Sequence, residues 1–117
     1  MSIAASLDWR NYIRIAPVRN QGRCGSCSAF AAVAIVEAQF AINKTEVDLS
    51  EQFVMDCYRQ NADGEGSGCN GGWIHDMFSW LKSNNRGIPT RTDVPYEAKN
   101  KKCTPKSLTD QWKTYYI

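Results

Sequence analysis

The 117-residue sequence carries a net charge of +2 with 43% hydrophobic and 22% charged residues, a balance that excludes disorder and suits one globular domain burying about two-thirds of its unfolded surface. Its longest unbroken apolar run, residues 29–36, falls far short of the roughly 20 residues a bilayer span needs, and the opening MSIAASLDWR has no basic stretch followed by an apolar core, so the expectation is a soluble chain, without membrane partner or signal peptide. Positive charges gather near the start (Arg10, Arg14, Arg19, Arg23) and the end (Lys99, Lys101, Lys102, Lys106), with Glu46, Asp48, Glu51, Asp56, Asp63 and Glu65 between them; no basic stripe with interleaved aromatics appears, and no nucleic-acid partner is expected.

In chain order, the first informative stretch is QGRCGSCSAF at 21–30, which sets Cys24 and Cys27 three apart before the long apolar run. Ala29 to Ile42 predicts a helix, because Ala, Ile, Glu and Gln dominate and no Gly or Pro interrupts. Apolar residues cover nearly every face, so burial on most sides is expected. Gly22 and Gly25 place Ser26 or Cys27 at the first turn, where unpaired backbone N–H groups and the positive dipole end favour an anion such as a thiolate. Asn43-Lys44-Thr45 forms an N-glycosylation sequon, which fits a secreted route. Asp48 or Ser50 can cap a second helix through Tyr58, with Phe53, Val54 and Cys57 on one face. Residues 61–72 read as loop, since five of the twelve are glycine. A third helix is predicted from about Gly72 to Asn84, with Trp73, Met77, Trp80 and Leu81 at helical spacing, Ile74 and Phe78 widening the stripe, and His75, Ser79, Lys82 and Ser83 opposite. The tail from Arg86, with Pro89, Pro95 and Pro105, reads as mostly irregular, with a short strand or turn near Trp112 to Ile117.

Five cysteines in so short a chain sum most simply to two disulfides and one free thiol, which implies an oxidising compartment and a chain that begins where a longer precursor was cut. For the C-x-x-C pair, a zinc site from Cys24, Cys27, Cys69 and His75 lacks paired ligand spacing, and a thioredoxin-type couple lacks the alternating strands and helices of that fold. In the remaining reading one cysteine is structural and the other a nucleophile. No metal or other cofactor is expected.

The third reading coincides with a family resemblance. LDWR at 7–10, PVRNQGRCGSC at 17–27, LSEQ at 49–52, DC at 56–57, GCNGG at 68–72 and PYE at 95–97 stand in the order and spacing of a papain-family, cathepsin-like cysteine protease. The resemblance implies a mainly α chain: residues 1–117 as the N-terminal (left) half of the two-domain α+β papain-like fold, a long central helix plus two shorter helices with disulfide-stapled loops. It implies Cys27 as nucleophile and Gln21 as side-chain donor of the oxyanion hole, with the Cys27 N–H as second donor. It implies Cys24 paired with Cys69 and Cys57 with Cys103. Gly25, Asn70, Gly71 and Gly72 would meet an extended peptide or protein substrate, with Trp73 and Ile74 lining the pocket for the residue two before the cleaved bond. The secreted or lysosomal/vacuolar lumen is the implied location.

Two departures matter. Ser28 stands where the family has Trp, thinning one wall of the cleft. The family's catalytic His and orienting Asn lie in a second domain, absent from residues 1–117, so the isolated chain is expected to lack peptidase activity and to leave apolar surface near Ala31 and Ile35 exposed. A second protease domain or chain, or a further copy of the chain, is the expected partner. Simpler readings stand beside these: the glycines permit a tight turn, Trp73 and Ile74 are core, and His75 faces solvent. The alternative function is a catalytically dead homologue serving peptide binding, regulation or assembly.

Overall fold

The computed structural model describes residues 6, 8, 20–83, 87–103 and 113–116. Outside these lie the first and third residues of LDWR with its Arg10, Pro17–Arg19, Asn84, Pro105, Trp112 and Ile117. Three helices carry the fold: α1 (Cys27–Ile42), α2 (Glu51–Cys57) and α3 (Ile74–Ser83). Two short strands, β1 (Ile88–Pro89) and β2 (Thr114–Tyr115), pair antiparallel, with Ile88 opposite Tyr115 and Pro89 opposite Thr114. The chain is mainly α, as expected from its sequence.

The longest helix, α1, begins two residues earlier than its apolar run suggests. Its buried residues are Ala29, Ala32, Val33, Val36, Glu37 and Ala41, one side of the cylinder, while Ala34 and Ile35 are exposed and Ala31 is half-buried. The expectation of burial on most sides is therefore corrected: an all-apolar composition has no periodic signal, and only tertiary packing selects the face that is covered. Glu37, buried within α1, accepts the backbone N–H of Leu49 on Oε2 at 2.7 Å, which ties the helix to the segment entering α2.

Every residue of α2 is buried. Ser50 caps it, its hydroxyl accepting the Phe53 N–H at 2.9 Å while donating to the Val94 carbonyl at 2.8 Å, so of the two expected caps Ser50 serves. The charged members of α2 each have a partner: the Arg91 guanidinium reaches Glu51 at 2.8 Å, and Gln52 donates to Asp56 at 2.7 Å. Burial pushes the Asp56 carboxyl up to about 7, against the lowering effect of the Gln52 hydrogen bond and of Lys101, with Glu97 and Glu65 adding to the rise. The remaining groups of Gln52 accept from Glu97 N–H and donate to the Lys99 carbonyl, and the Cys57–Cys103 disulfide fixes the same loop.

The loop expected over 61–72 forms and extends through Trp73, with a 3₁₀ turn at Gly68–Asn70. The third helix is shorter than its apolar stripe. Met77 and Leu81 are buried and Ile74, Phe78 and Trp80 half-buried, but Trp73 lies outside the helix and is 75% exposed. Its carbonyl accepts the Met77 N–H, so Trp73 opens the first turn rather than joining the core. The core is built from Val33, Val36, Leu49, Phe53, Val54, Met55, Tyr58, Met77, Leu81 and Ile88, at the meeting of the three helices and β1. Among the described residues no helix is long and apolar enough to cross a membrane.

Candidate active site

The geometry begins at Ser26, immediately before α1. With φ −102° and ψ 16°, it does not cap the helix through its side chain. Its buried hydroxyl instead lies 2.9 Å from the Tyr96 hydroxyl. Tyr96 spends its one proton on the Gln21 carbonyl, so Ser26 is the donor to the Tyr96 oxygen. The result is a relay, Ser26 to Tyr96 to Gln21, across 75 residues of sequence. The Tyr96 ring meets Phe30 edge-on, centroids 4.9 Å apart at 89°, and the Arg91 guanidinium lies 5.9 Å from its centroid.

Gln21 is also held by its side chain, whose amide nitrogen donates to the Cys24 carbonyl at 2.6 Å. An amide nitrogen carries two hydrogens, so this bond orients the group and leaves the second for another acceptor. Cys27 follows as the first residue of α1, and it is the free, exposed cysteine. No acidic side chain occupies the first turn of α1.

Cys24 is bonded to Cys69, which brings residues 69–74 against the loop at 24–28. At Gly25 a Cβ would come 2.4 Å from the Cys69 carbonyl oxygen, and at Gly71, where φ is +84°, one would come 3.3 Å from the Gly25 oxygen. Both positions need glycine, one for close approach and the other for a left-handed backbone as well. The expected turn-forming role of these glycines therefore holds whatever else they do. Ser28, the residue that departs from the family pattern, donates its hydroxyl to the Gly72 carbonyl at 2.6 Å.

Beyond Gly72 the chain turns into α3. Gly72 packs against the Tyr58 ring, and the Tyr58 hydroxyl donates to Asp76 at 2.8 Å. That bond, together with the Arg59 guanidinium, lowers the Asp76 carboxyl below its ordinary value. Asn70 and Trp73 are exposed and Ile74 is half-buried. His75, the sole histidine, is exposed. Gly25 and Ser28, on either side of Cys27, thus meet Gly71 and Gly72, while the sulfurs of Cys24 and Cys69 are bonded to each other and unavailable as metal ligands. No group of three or more His, Cys, Asp or Glu able to hold a metal occurs among the described residues.

Sequence reasoning missed the relay through Tyr96 and Ser26 and the Ser28 tether. The motif PYE contains Tyr96, and a tyrosine between a proline and a charged residue in an otherwise irregular tail was the available signal.

The model of the papain family cysteine proteases matches residues 3–116. The chain is 42% identical over 101 residues to digestive cysteine proteinase 2 of Homarus americanus, covering 86% of this chain and 30% of that protein. It is 48% identical over 100 residues to cysteine protease 1 of Oryza sativa subsp. japonica, covering 84% of this chain and 20% of the relative. Among solved structures, the bromelain protease from Ananas comosus in complex with the E64 inhibitor superposes with a TM-score of 0.80 at 37% identity, over 98% of this chain and 49% of that one. The chain therefore spans under a third of the length of these two curated relatives.

Proposed function

Because this chain belongs to the papain family of cysteine proteases, we propose that residues 1–117 form the nucleophile-bearing half of a cysteine endopeptidase. Cys27 attacks the scissile carbonyl carbon as thiolate. The carbonyl oxygen, now negative, is received by the Cys27 backbone N–H and the second amide hydrogen of Gln21. The leaving amine takes a proton from a histidine, and the acyl-enzyme is released by water. The observation that carries this reading is the exposed free thiol of Cys27 at the first position of a 16-residue helix, with Gln21 anchored to the same loop by its side chain on the Cys24 carbonyl and by its own carbonyl on Tyr96.

The base is a histidine of a second lobe, oriented by an asparagine, as the family resemblance implies. His75 sits on α3 in a segment that matches no catalytic motif, and a thiol without a base has neither strong activation nor a proton donor for the amine. The 117 residues alone are accordingly inactive, and a second lobe, on the same or another chain, completes the site. Peptide or protein substrates run along Gly25, Asn70, Gly71 and Gly72, with Trp73 and Ile74 at the pocket for the residue two before the cleaved bond. Two disulfides support folding in an oxidising lumen, secretory or lysosomal.

The test is alkylation of Cys27 by iodoacetamide at about pH 5.5, where an ordinary thiol is only about 0.1% thiolate, read by intact mass with and without a family second lobe supplied. Fast labelling that requires the lobe, together with turnover of a fluorogenic dipeptide lost in Cys27→Ala, is the expected result. Slow labelling of the folded, completed protein would sink the peptidase and leave a binding or assembly module.

A further inference from the structure

The sequon at 43–45 is absorbed by none of the chemistry above, and the structure gives it a setting of its own. Asn43 is the C-cap of α1, with φ −88° and ψ 19°. Lys44 takes the left-handed conformation, φ +68°, and its N–H closes the turn on the Ala41 carbonyl at 3.0 Å. Thr45 N–H returns to the Phe40 carbonyl at 2.8 Å. Residues 42–46 are all exposed, between buried Ala41 and buried Val47. This is the single Asn-x-Ser/Thr triplet in the 117 residues, and neither Lys44 nor Glu46 is proline.

We propose that Asn43 is an N-glycosylation acceptor. An oligosaccharide carried on a polyprenyl diphosphate is transferred to Asn43 Nδ2: a C–N bond forms at the first sugar, its bond to the diphosphate breaks, the lipid diphosphate leaves with the bonding pair, and Nδ2 loses one proton. The fold tolerates the product. Nδ2 donates to the Gln39 carbonyl at 3.2 Å, and a glycosylated amide keeps one N–H with which to make that bond. Exposure on a turn is the setting in which a bulky, solubilising sugar costs the fold nothing. Asn43 also lines an apolar hollow of about 450 Å³ with Ile35, Val36, Phe40, Phe78 and Tyr116, so the sugar would stand beside an apolar part of the surface. This inference does not depend on the chemistry of Cys27.

The experiment is secretion of the full chain from a eukaryotic host, with intact mass measured before and after peptide-N-glycosidase under non-reducing conditions. The expected result is one glycan's mass, removed by the enzyme with conversion of Asn43 to Asp, absent in Asn43→Gln and Thr45→Ala and retained in Thr45→Ser. A secreted, disulfide-bonded product of unmodified mass would overturn the proposal, as would a glycan that persists in Asn43→Gln.

Discussion

The two helices that begin after a serine begin in opposite ways. Ser50 turns its hydroxyl onto α2, satisfies the Phe53 N–H and is itself held by the Val94 carbonyl. Ser26 turns away from α1, and its hydroxyl goes to Tyr96. Every residue of α2 is buried, whereas α1 opens with an exposed thiol. A capped N-terminus has spent part of its capacity to hold an anion, and an uncapped one has kept it. One start is closed by its own cap, and the other keeps its N–H groups open beside the free thiol, at some cost in helix stabilisation, as the proposed chemistry requires.

The sharpest attempt to break the comparison is Cys27→Ser in the protein completed by its second lobe. Loss of at least about a thousandfold in kcat/KM, with an unchanged urea midpoint, is expected; retained turnover would place the chemistry elsewhere. Next in size are the disulfides. They span nearly equal separations, 45 and 46 residues, so each constrains the unfolded chain by about 4 kcal/mol in the chain-entropy model. Replacing Cys57 and Cys103 by Ala should cost stability of that order in urea. Replacing Cys24 and Cys69 should cost a similar amount and also slow Cys27 alkylation in the completed protein, because of the two disulfides this one joins residues 69–72 to the loop that carries Cys27. Equal effects of both pairs on alkylation would erase the distinction between the regions.

Acid–base behaviour sharpens it further. Below the ordinary value of 3.8 both folded and unfolded chains carry the Asp56 proton; between there and about 7 only the folded chain holds it. Protons bound by the unfolded state are then fewer, so stability falls as pH rises through that window and levels off above it. The expected loss is on the order of a few kcal/mol. Asp56→Asn should flatten that slope in urea titrations at pH 4, 5.5 and 7; an unchanged slope would assign it to other groups. The smallest expected effect is at the caps. Ser50→Ala should cost about 2 kcal/mol by removing a cap and leaving the Val94 carbonyl without its donor. Ser26→Ala should cost less than about 1 kcal/mol in stability but reduce turnover several-fold by loosening Tyr96 and with it Gln21. The reverse ranking in thermal melts would contradict the assigned roles.

What was legible in the sequence followed from local signals. The glycine-rich loop, the Ser50 cap and the helix through Met77 and Leu81 each have a residue type at a spacing that physics can read. What was not legible was long-range. A two-residue strand such as Ile88–Pro89 has no period, and its partners, Tyr115 and Thr114, lie far along the chain. The covered face of α1 could not be chosen from residues that are nearly all apolar, and Trp73, apolar and at helical spacing, stays outside because the backbone is still turning through Gly71. At the candidate site, motif order directed attention to Cys27 and Gln21, but the relay that holds Gln21 comes from Tyr96, 75 positions on.

The hydroxyl of Ser28 has one more consequence. It belongs to the residue next to the nucleophile and grips the carbonyl of Gly72, one residue before Trp73 on the segment assigned to substrate. The proposed attack point and the proposed recognition edge are thereby mounted on a common frame, with the Cys24–Cys69 bond as its second strut. Under the proposed function such a frame works as a ruler with a fixed zero, so that a peptide laid along 71–74 would be cut at a set number of residues from the one being recognised. Selection can then change Trp73 or Ile74, and so which side chain is preferred, while the place of the cut stays where it was.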